Sequence, residues 1–223
     1  LSCRQVIEAV RKGMERGKED FQVRYEIIVC AMRNHSEEQN LAMLKCAREY
    51  LGEGVCALDL AGDESAYPTA QFRNIFQEAK RLGMPYTIHS GETGNLDNVR
   101  EARELKAARI GHGIALKKDP ELMKAYAKDG IGVEMCPTSN FQTKAVQTWQ
   151  DYPLRQFLDA GIKVSVNTDN RTVSGTTMTQ ELTKVYEQYG RDEELIFTLL
   201  GNAADTAFDP EIKEIFEKKW KGI

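Results

Sequence analysis

The chain has 223 residues, 41% of them hydrophobic and 29% charged, the balance of an ordinary globular protein. Thirty Lys+Arg against 34 Asp+Glu leave a net charge of -4 and no basic block, which argues against nucleic acid or a membrane surface as a partner. No apolar run approaches the roughly 18 residues of a membrane span. No signal-peptide core follows Leu1, and five cysteines without a CxxC pair read as reduced thiols of a cytoplasmic protein, not a zinc-thiolate site.

Strand-like and helical runs alternate along the chain. Ser2-x-x-Gln5 is a capping box ahead of Val6, Ile7, Val10 and Met14 at helical spacing. Tyr25 to Cys30 is the first expected strand. Ser36-x-x-Gln39 opens a helix, and Val55 to Leu60 is the second strand. Phe72, Ile75, Phe76, Ala79 and Leu82 form a helix face that Gly83 stops. Strands are expected at Pro85 to His89, Ala108 to Gly113, Ile131 to Cys136 and Ile162 to Thr168, with helices between them. One helix opens on Asp119-Pro120, an N-cap followed by Pro at the first helical position, and ends near Gly130. Three more helical stretches close the chain, around Leu182 to Tyr186, Leu195 to Leu199 and Ile212 to Ile215.

Six strands alternating with helices imply parallel pairing through helical crossovers. No G-x-G-x-x-G follows the first strand and no GxxxxGK[ST] occurs, so dinucleotide-binding and P-loop sheets lose support. No linker divides the chain, and residues 1–223 read as a single domain.

In an α/β barrel the chemistry collects at the C-terminal ends of the strands. There the sequence places Asp59-Leu60-Ala61-Gly62-Asp63-Glu64, His89-Ser90-Gly91-Glu92, Gly111-His112-Gly113, Cys136-Pro137-Thr138-Ser139-Asn140 and Asn167-Thr168-Asp169-Asn170. Two of the three histidines fall at strand ends. The third, His35, lies in a polar loop and reads as solvated. Histidine nitrogens and a carboxylate suit Zn²⁺, which lowers the pKa of its water to about 7. Glu92, just beyond His89, is placed for a proton shuttle whose enclosure should raise its pKa. Flanking glycines are expected to leave the His112 imidazole accessible. Asp169, ending an apolar strand, is expected to be a desolvated carboxylate whose cost a metal offsets. Asp59, Asp63 and Glu64 read equally well as orienting groups or helix caps, Ser139-Asn140 as a turn and cap, and Arg33 as a structural ion pair. Trp149 and Trp220 read as packing residues.

This series of motifs resembles the adenosine deaminases of the zinc amidohydrolase superfamily, bacterial in style at Thr138 to Thr143. The resemblance implies a (β/α)8 TIM barrel of the metal-dependent hydrolase type and a soluble, cytoplasmic enzyme. It implies hydrolytic deamination of adenosine, and of 2′-deoxyadenosine, to inosine and ammonia by zinc-activated hydroxide attack at purine C6. By that resemblance His89 and Asp169 match metal ligands, Glu92 the proton donor to N1 and His112 the residue that positions the attacking water. The backbone N–H of Gly62 matches a purine contact. Asn170 stands where the family commonly has an Asp that contacts N7. The small-molecule partner is a purine nucleoside and the cofactor one Zn²⁺ per complete site.

The family's His-x-His pair, which supplies two further ligands from its first strand, has no match here, and six βα units stand where the barrel needs eight. The chain begins at Leu1 and is shorter than the roughly 250 residues of a typical barrel. It is therefore expected to be the C-terminal two-thirds of such an enzyme, inactive alone, with a complementing N-terminal segment or chain as a partner. A related aminohydrolase with another purine specificity and a non-catalytic remnant or interaction module remain the alternatives.

Overall fold

The computed structural model describes residues 1–221. Its contacts divide into two compact units, Leu1–Thr87 and Ile88–Ile223.

In the first unit, helix α1 (Cys3–Phe21) starts where Ser2 Oγ accepts from the Gln5 N–H at 3.3 Å while the Gln5 side chain accepts from the Ser2 N–H at 2.9 Å. Two of its orphan donors are thereby satisfied. The next strand begins later than the apolar pattern suggests. The Tyr25 hydroxyl donates back to Glu15 of α1 at 2.6 Å, and β1 (Ile27–Met32) opens only where the Ile27 N–H donates to Gly54 at 2.9 Å. Helix α2 (Glu37–Arg48) repeats the capping box with Ser36 and Gln39. Strand β2 (Val55–Ala61) runs parallel to β1, with Cys30 opposite Asp59 and Met32 opposite Ala61. Helix α3 (Arg73–Arg81) buries Ile75, Phe76 and Ala79, the apolar face read from the sequence, and the Phe76 ring lies 4.9 Å from that of Tyr86.

The later β1 puts Arg33 immediately after the strand, where it is 1% exposed. Its Nη1 donates to the Tyr67 carbonyl at 2.6 Å, its Nη2 to Thr69 Oγ1 at 3.1 Å, and its guanidinium lies over the Phe72 ring. Arg33 is thus a structural residue that carries its charge into the core with hydrogen-bond partners.

Strand β3 (Thr87–Ser90) leads into the second unit. There follow α4 (Leu96–Glu104), β4 (Arg109–His112), α5 (Pro120–Asp129), β5 (Gly132–Met135), α6 (Pro137–Gln142), α7 (Leu154–Asp159) and β6 (Val164–Val166). The sheet order is β3-β4-β5-β6, each strand beside the next in sequence. The register sets Arg109 against Gly132 and Val133 against Val164, parallel in both cases. Ile88, Ile110, Val133, Met135 and Val164 are all fully buried. Such continuous burial is what a parallel sheet covered by helices requires. Asp119 caps α5 by accepting from the Glu121 and Leu122 N–H groups, and Gly130 closes it with φ 71°.

After β6 come α8 (Arg171–Ser174), α9 (Met178–Gln188), α10 (Glu193–Asp205) and α11 (Glu211–Phe216). The apolar residues expected to anchor the last three helices behave unequally. Val185, Leu195 and Leu199 are buried, whereas α11 buries nothing and Ile215 is 40% exposed. Among the described residues no helix is long and apolar enough to cross a membrane. They contain six strands, as the sequence pattern implies.

Candidate active site

The expected chemistry gathers at the strand ends of the second unit. His89 is the third residue of β3 and is half-buried. Beyond Ser90 the chain turns, so that Glu92 presents a partly exposed carboxylate. Strand β4 ends on His112, and the two imidazoles meet edge to face, with centroids 5.1 Å apart. His112 Nε2 lies 3.6 Å from Glu92 Oε2. Three of the residues singled out in the sequence are therefore brought together by two adjacent strands.

The glycines around His112 work differently from expectation. The imidazole is 2% exposed, so they do not leave it accessible. A Cβ on Gly111 would stand 3.3 Å from His89 Cα and Cγ, so this glycine lets the His89 backbone and ring come close. Gly113 has φ 66°, and a Cβ there would meet Val133 Cγ1 at 2.7 Å. His112 itself adopts φ 63° and Asp169 φ 54°, a left-handed region uncommon outside glycine, though Asp, Asn and His enter it more readily than most. Such geometry often accompanies functional positions because the surrounding structure has to impose it.

Short helix α6 organises these groups, where the sequence suggests only a turn and cap. Pro137 fits its first helical position, where a missing N–H costs nothing. The fully buried Asn140 has its Nδ2 2.9 Å from His112 Nδ1. Ser139 Oγ donates to Asp169 Oδ2 at 2.7 Å. Asn140 Oδ1 accepts from the Cys136 N–H and from the Tyr152 hydroxyl, each at 3.3 Å. The Tyr152 ring packs against Phe141 and Trp149, the Tyr189 hydroxyl donates to the Tyr152 carbonyl at 3.5 Å, and Trp149, which also meets the Tyr189 ring, has the packing role expected of it.

The start of α6 is held from α9. The Thr138 N–H donates to Glu181 Oε2 at 2.9 Å, the Thr138 and Thr176 hydroxyls donate to Glu181 Oε1, and Lys184 Nζ lies 3.3 Å away. Burial raises the carboxyl pKa of Glu181, but these donors outweigh it and hold the group below the usual carboxylate range. Burial also pushes the Cys136 thiol, beside the site, well above its ordinary value.

Asp169 departs from the expected desolvated carboxylate. Strand β6 ends at Val166, and Asp169 follows in an exposed turn with Ser139 as donor, so burial cost gives it no special claim to a metal. Asn170 is the N-cap of α8, its Oδ1 accepting from the Val173 N–H at 3.1 Å. Gly62 belongs to the first unit, where φ 115° and the close approach of Arg33 Cβ explain the glycine. Asp63 caps the turn at Ser65 and Ala66, Asp59 accepts from the neighbouring Leu60 N–H, and His35 is exposed.

His89 and Asp169 offer donor types that suit zinc, but among the described residues no three His, Cys, Asp or Glu side chains are arranged so that they could hold a metal ion. A closed coordination shell needs donors beyond these two.

A family model described as adenosine deaminase matches residues 1–218. The chain belongs to the adenosine deaminase family. It is 40% identical over 220 residues to the adenosine deaminase of Enterococcus faecalis, covering 98% of this chain and 65% of the relative. It is 37% identical over 209 residues to that of Vibrio vulnificus, covering 93% and 63%. The chain thus spans just under two thirds of the length of these curated relatives. Among solved structures, the adenine deaminase of Arthrobacter aurescens superposes with a TM-score of 0.82 at 25% identity, covering 92% of this chain and 64% of that one. An amidohydrolase of Burkholderia ambifaria, solved with bound zinc, reaches a TM-score of 0.91 at 22% identity over the whole of this chain and 63% of that one, a likeness of fold. The architecture is accordingly that of the TIM-barrel deaminases of the amidohydrolase superfamily, with the parallel βα units of part of the barrel present here.

The hydrogen bonds also bring in residues whose roles motif reading at strand ends did not reach. Tyr152 and Glu181 do not stand at strand ends and carry no motif of their own, while Asn140, in the run after β5, reads from the sequence only as part of a turn and cap. The run Cys136-Pro137-Thr138-Ser139-Asn140, polar and proline-led directly after a buried strand, was the available signal.

Proposed function

We propose that this protein carries the C-terminal two-thirds of a hydrolytic adenosine deaminase of purine metabolism, a cytoplasmic enzyme whose substrate is adenosine or 2′-deoxyadenosine. One catalytic barrel domain over residues 1–223 is part of this reading. The observation that carries it is the pairing of Glu92 with His112 at 3.6 Å beside His89, on adjacent strands of a chain in this family.

In this reading His89 and Asp169 hold the metal together with donors from a complementing segment or chain. A zinc ion held there would bring its water to a pKa near 7 and so supply a nucleophile at neutral pH. Glu92, in its protonated form, gives its proton to N1 of the purine, which draws electron density away from C6 and opens it to attack. His112, with Nε2 3.6 Å from the Glu92 carboxylate, orients the incoming water against C6. The Gly62 N–H and Asn170 contact the purine. Because Asn170 Oδ1 is engaged as a helix cap, the group left to face N7 is its amide NH₂, a donor that matches the N7 lone pair. Loss of the amino group as ammonia leaves inosine.

The identity to curated adenosine deaminases favours the nucleoside over the free base, and the structural likeness to an adenine deaminase supplies the second reading. An absorbance assay of the chain joined to its complementing segment and loaded with zinc, on adenosine, 2′-deoxyadenosine, adenine and AMP, separates them. Preferential turnover of adenosine is expected. Preferential turnover of adenine overturns the substrate assignment, and zinc binding without turnover of any of the four favours a non-catalytic role.

A further inference from the structure

We propose that Asn140 is a positioning residue that fixes His112 in the neutral tautomer with its proton on Nε2, and so commits this histidine to donating a hydrogen bond instead of abstracting a proton. The inference rests on the deaminase reading for its catalytic meaning, but its structural content stands on the hydrogen bonds alone.

The orientation of the Asn140 amide follows from its partners. A backbone N–H can only donate, so the atom facing the Cys136 N–H is the oxygen, Oδ1. Tyr152 donates to the same oxygen, and full burial keeps its phenol protonated and able to do so. The atom facing His112 Nδ1 at 2.9 Å is therefore the NH₂, which has no lone pair to offer. His112 Nδ1 must accept, and in the neutral ring the proton then sits on Nε2. That nitrogen is the one 3.6 Å from Glu92.

The arrangement is rigid on every side. Asn140 is fully buried on α6, Tyr152 is packed among aromatic rings, and α6 is tied to Glu181. An Nε2–H points a donor at the space beside Glu92, where it orients a water oxygen and offsets negative charge that develops on it. An Nδ1–H tautomer would place a lone pair there instead, the arrangement a general base requires. The two roles differ by one proton position, and Asn140 selects between them.

The test is long-range ¹H–¹⁵N correlation of the ring nitrogens at neutral pH. With three histidines in the chain, His35→Gln and His112→Asn assign the signals. In the wild type, His112 should show an unprotonated Nδ1 and a protonated Nε2. In Asn140→Asp, where the NH₂ becomes an acceptor, Nδ1 should gain the proton. Tyr152→Phe, which keeps the Cys136 contact to Oδ1, should leave the wild-type pattern in place. A protonated Nδ1 in the wild type overturns the proposal whether or not any variant folds, and so does an unchanged pattern in a folded Asn140→Asp. If adenosine is turned over, Asn140→Asp should lower kcat by at least 100-fold with KM changed less than threefold. A wrong histidine tautomer costs up to roughly 10⁴-fold in the serine-protease triad. An equal fall in both the variant's activity and its folded fraction, with the tautomer unmoved, counts against it. Absence of deamination by the zinc-loaded chain joined to its complementing segment, with the expected wild-type tautomer, would overturn the deaminase reading and leave the tautomer assignment intact.

Discussion

The backbone N–H of Thr138 donates to the buried carboxylate of Glu181 at 2.9 Å, so that the first turn of α6 is anchored to a side chain of α9. Thr138 and Thr176 add hydroxyl donors to the same group, and the helix that carries Ser139 and Asn140 is held by a charge that burial alone would disfavour. Charge-assisted hydrogen bonds of this kind are the stronger ones, and leaving their donors unmet in the interior is costly.

Glu181→Gln should therefore destabilise the protein by about 1–3 kcal/mol at pH 7. The folded-state pKa of Glu181 lies below its unfolded value, so its contribution is complete above the ordinary glutamate range, about 4.3, and is lost as pH falls through the lower folded value. Urea denaturation from pH 7 down to pH 3 checks this. The gap between wild type and variant should narrow on the acid side, and a gap that widens there contradicts the assignment.

Glu92→Gln should reduce turnover of adenosine by about 10²–10⁴-fold, the usual weight of a general acid, while zinc content is unchanged. His89→Ala should instead lose zinc. Metal analysis after dialysis, run beside the activity assay, distinguishes the two, and zinc loss from Glu92→Gln would show that the carboxylate is a ligand.

Gly113→Ala should cost about 1–3 kcal/mol, since the new methyl meets Val133 Cγ1 at 2.7 Å and the backbone sits at φ 66°. The pairing Gly113→Ala with Val133→Ala opens space for the methyl, so the double variant should recover part of the loss relative to the sum of the singles. Strict additivity in denaturation midpoints would mean that backbone conformation alone carries the effect.

Cys136 should resist Ellman's reagent at pH 8 until the protein unfolds, because burial keeps its thiol protonated and covered. Cys30, pushed up to about 12 by burial and the nearby Asp59 charge, should lag in the same way. Rapid stoichiometric modification of native Cys136 would show that the space around α6 opens more than the packing implies.

The parallel class and all six strands were legible because each strand is a short apolar run punctuated by caps, Gly or Pro, and periodicity reports burial directly. The boundaries were not. β1 starts two residues later than its apolar run, with Tyr25 drawn back to α1, and β6 covers only Val164–Val166 of the apolar run expected from Ile162 to Thr168. At the site, His89, Glu92 and His112 were legible from their positions at strand ends, and their proximity follows from the adjacency of β3 and β4. Asn140 and Glu181 were not, since their partners are set by which face of α6 meets β4 and α9, a tertiary matter that no local pattern encodes. The exposure of Asp169 was missed together with the early end of β6.

The β3-β4-β5-β6 order gives the second unit a consequence for how it forms. Arg109 meets Gly132 and Val133 meets Val164, so the first pairing closes a loop carrying α5 and the second a loop carrying α6 and α7. The entropy of closing such loops grows slowly with their length, and contacts local in sequence favour fast folding. A ladder built this way can add one strand at a time onto the last.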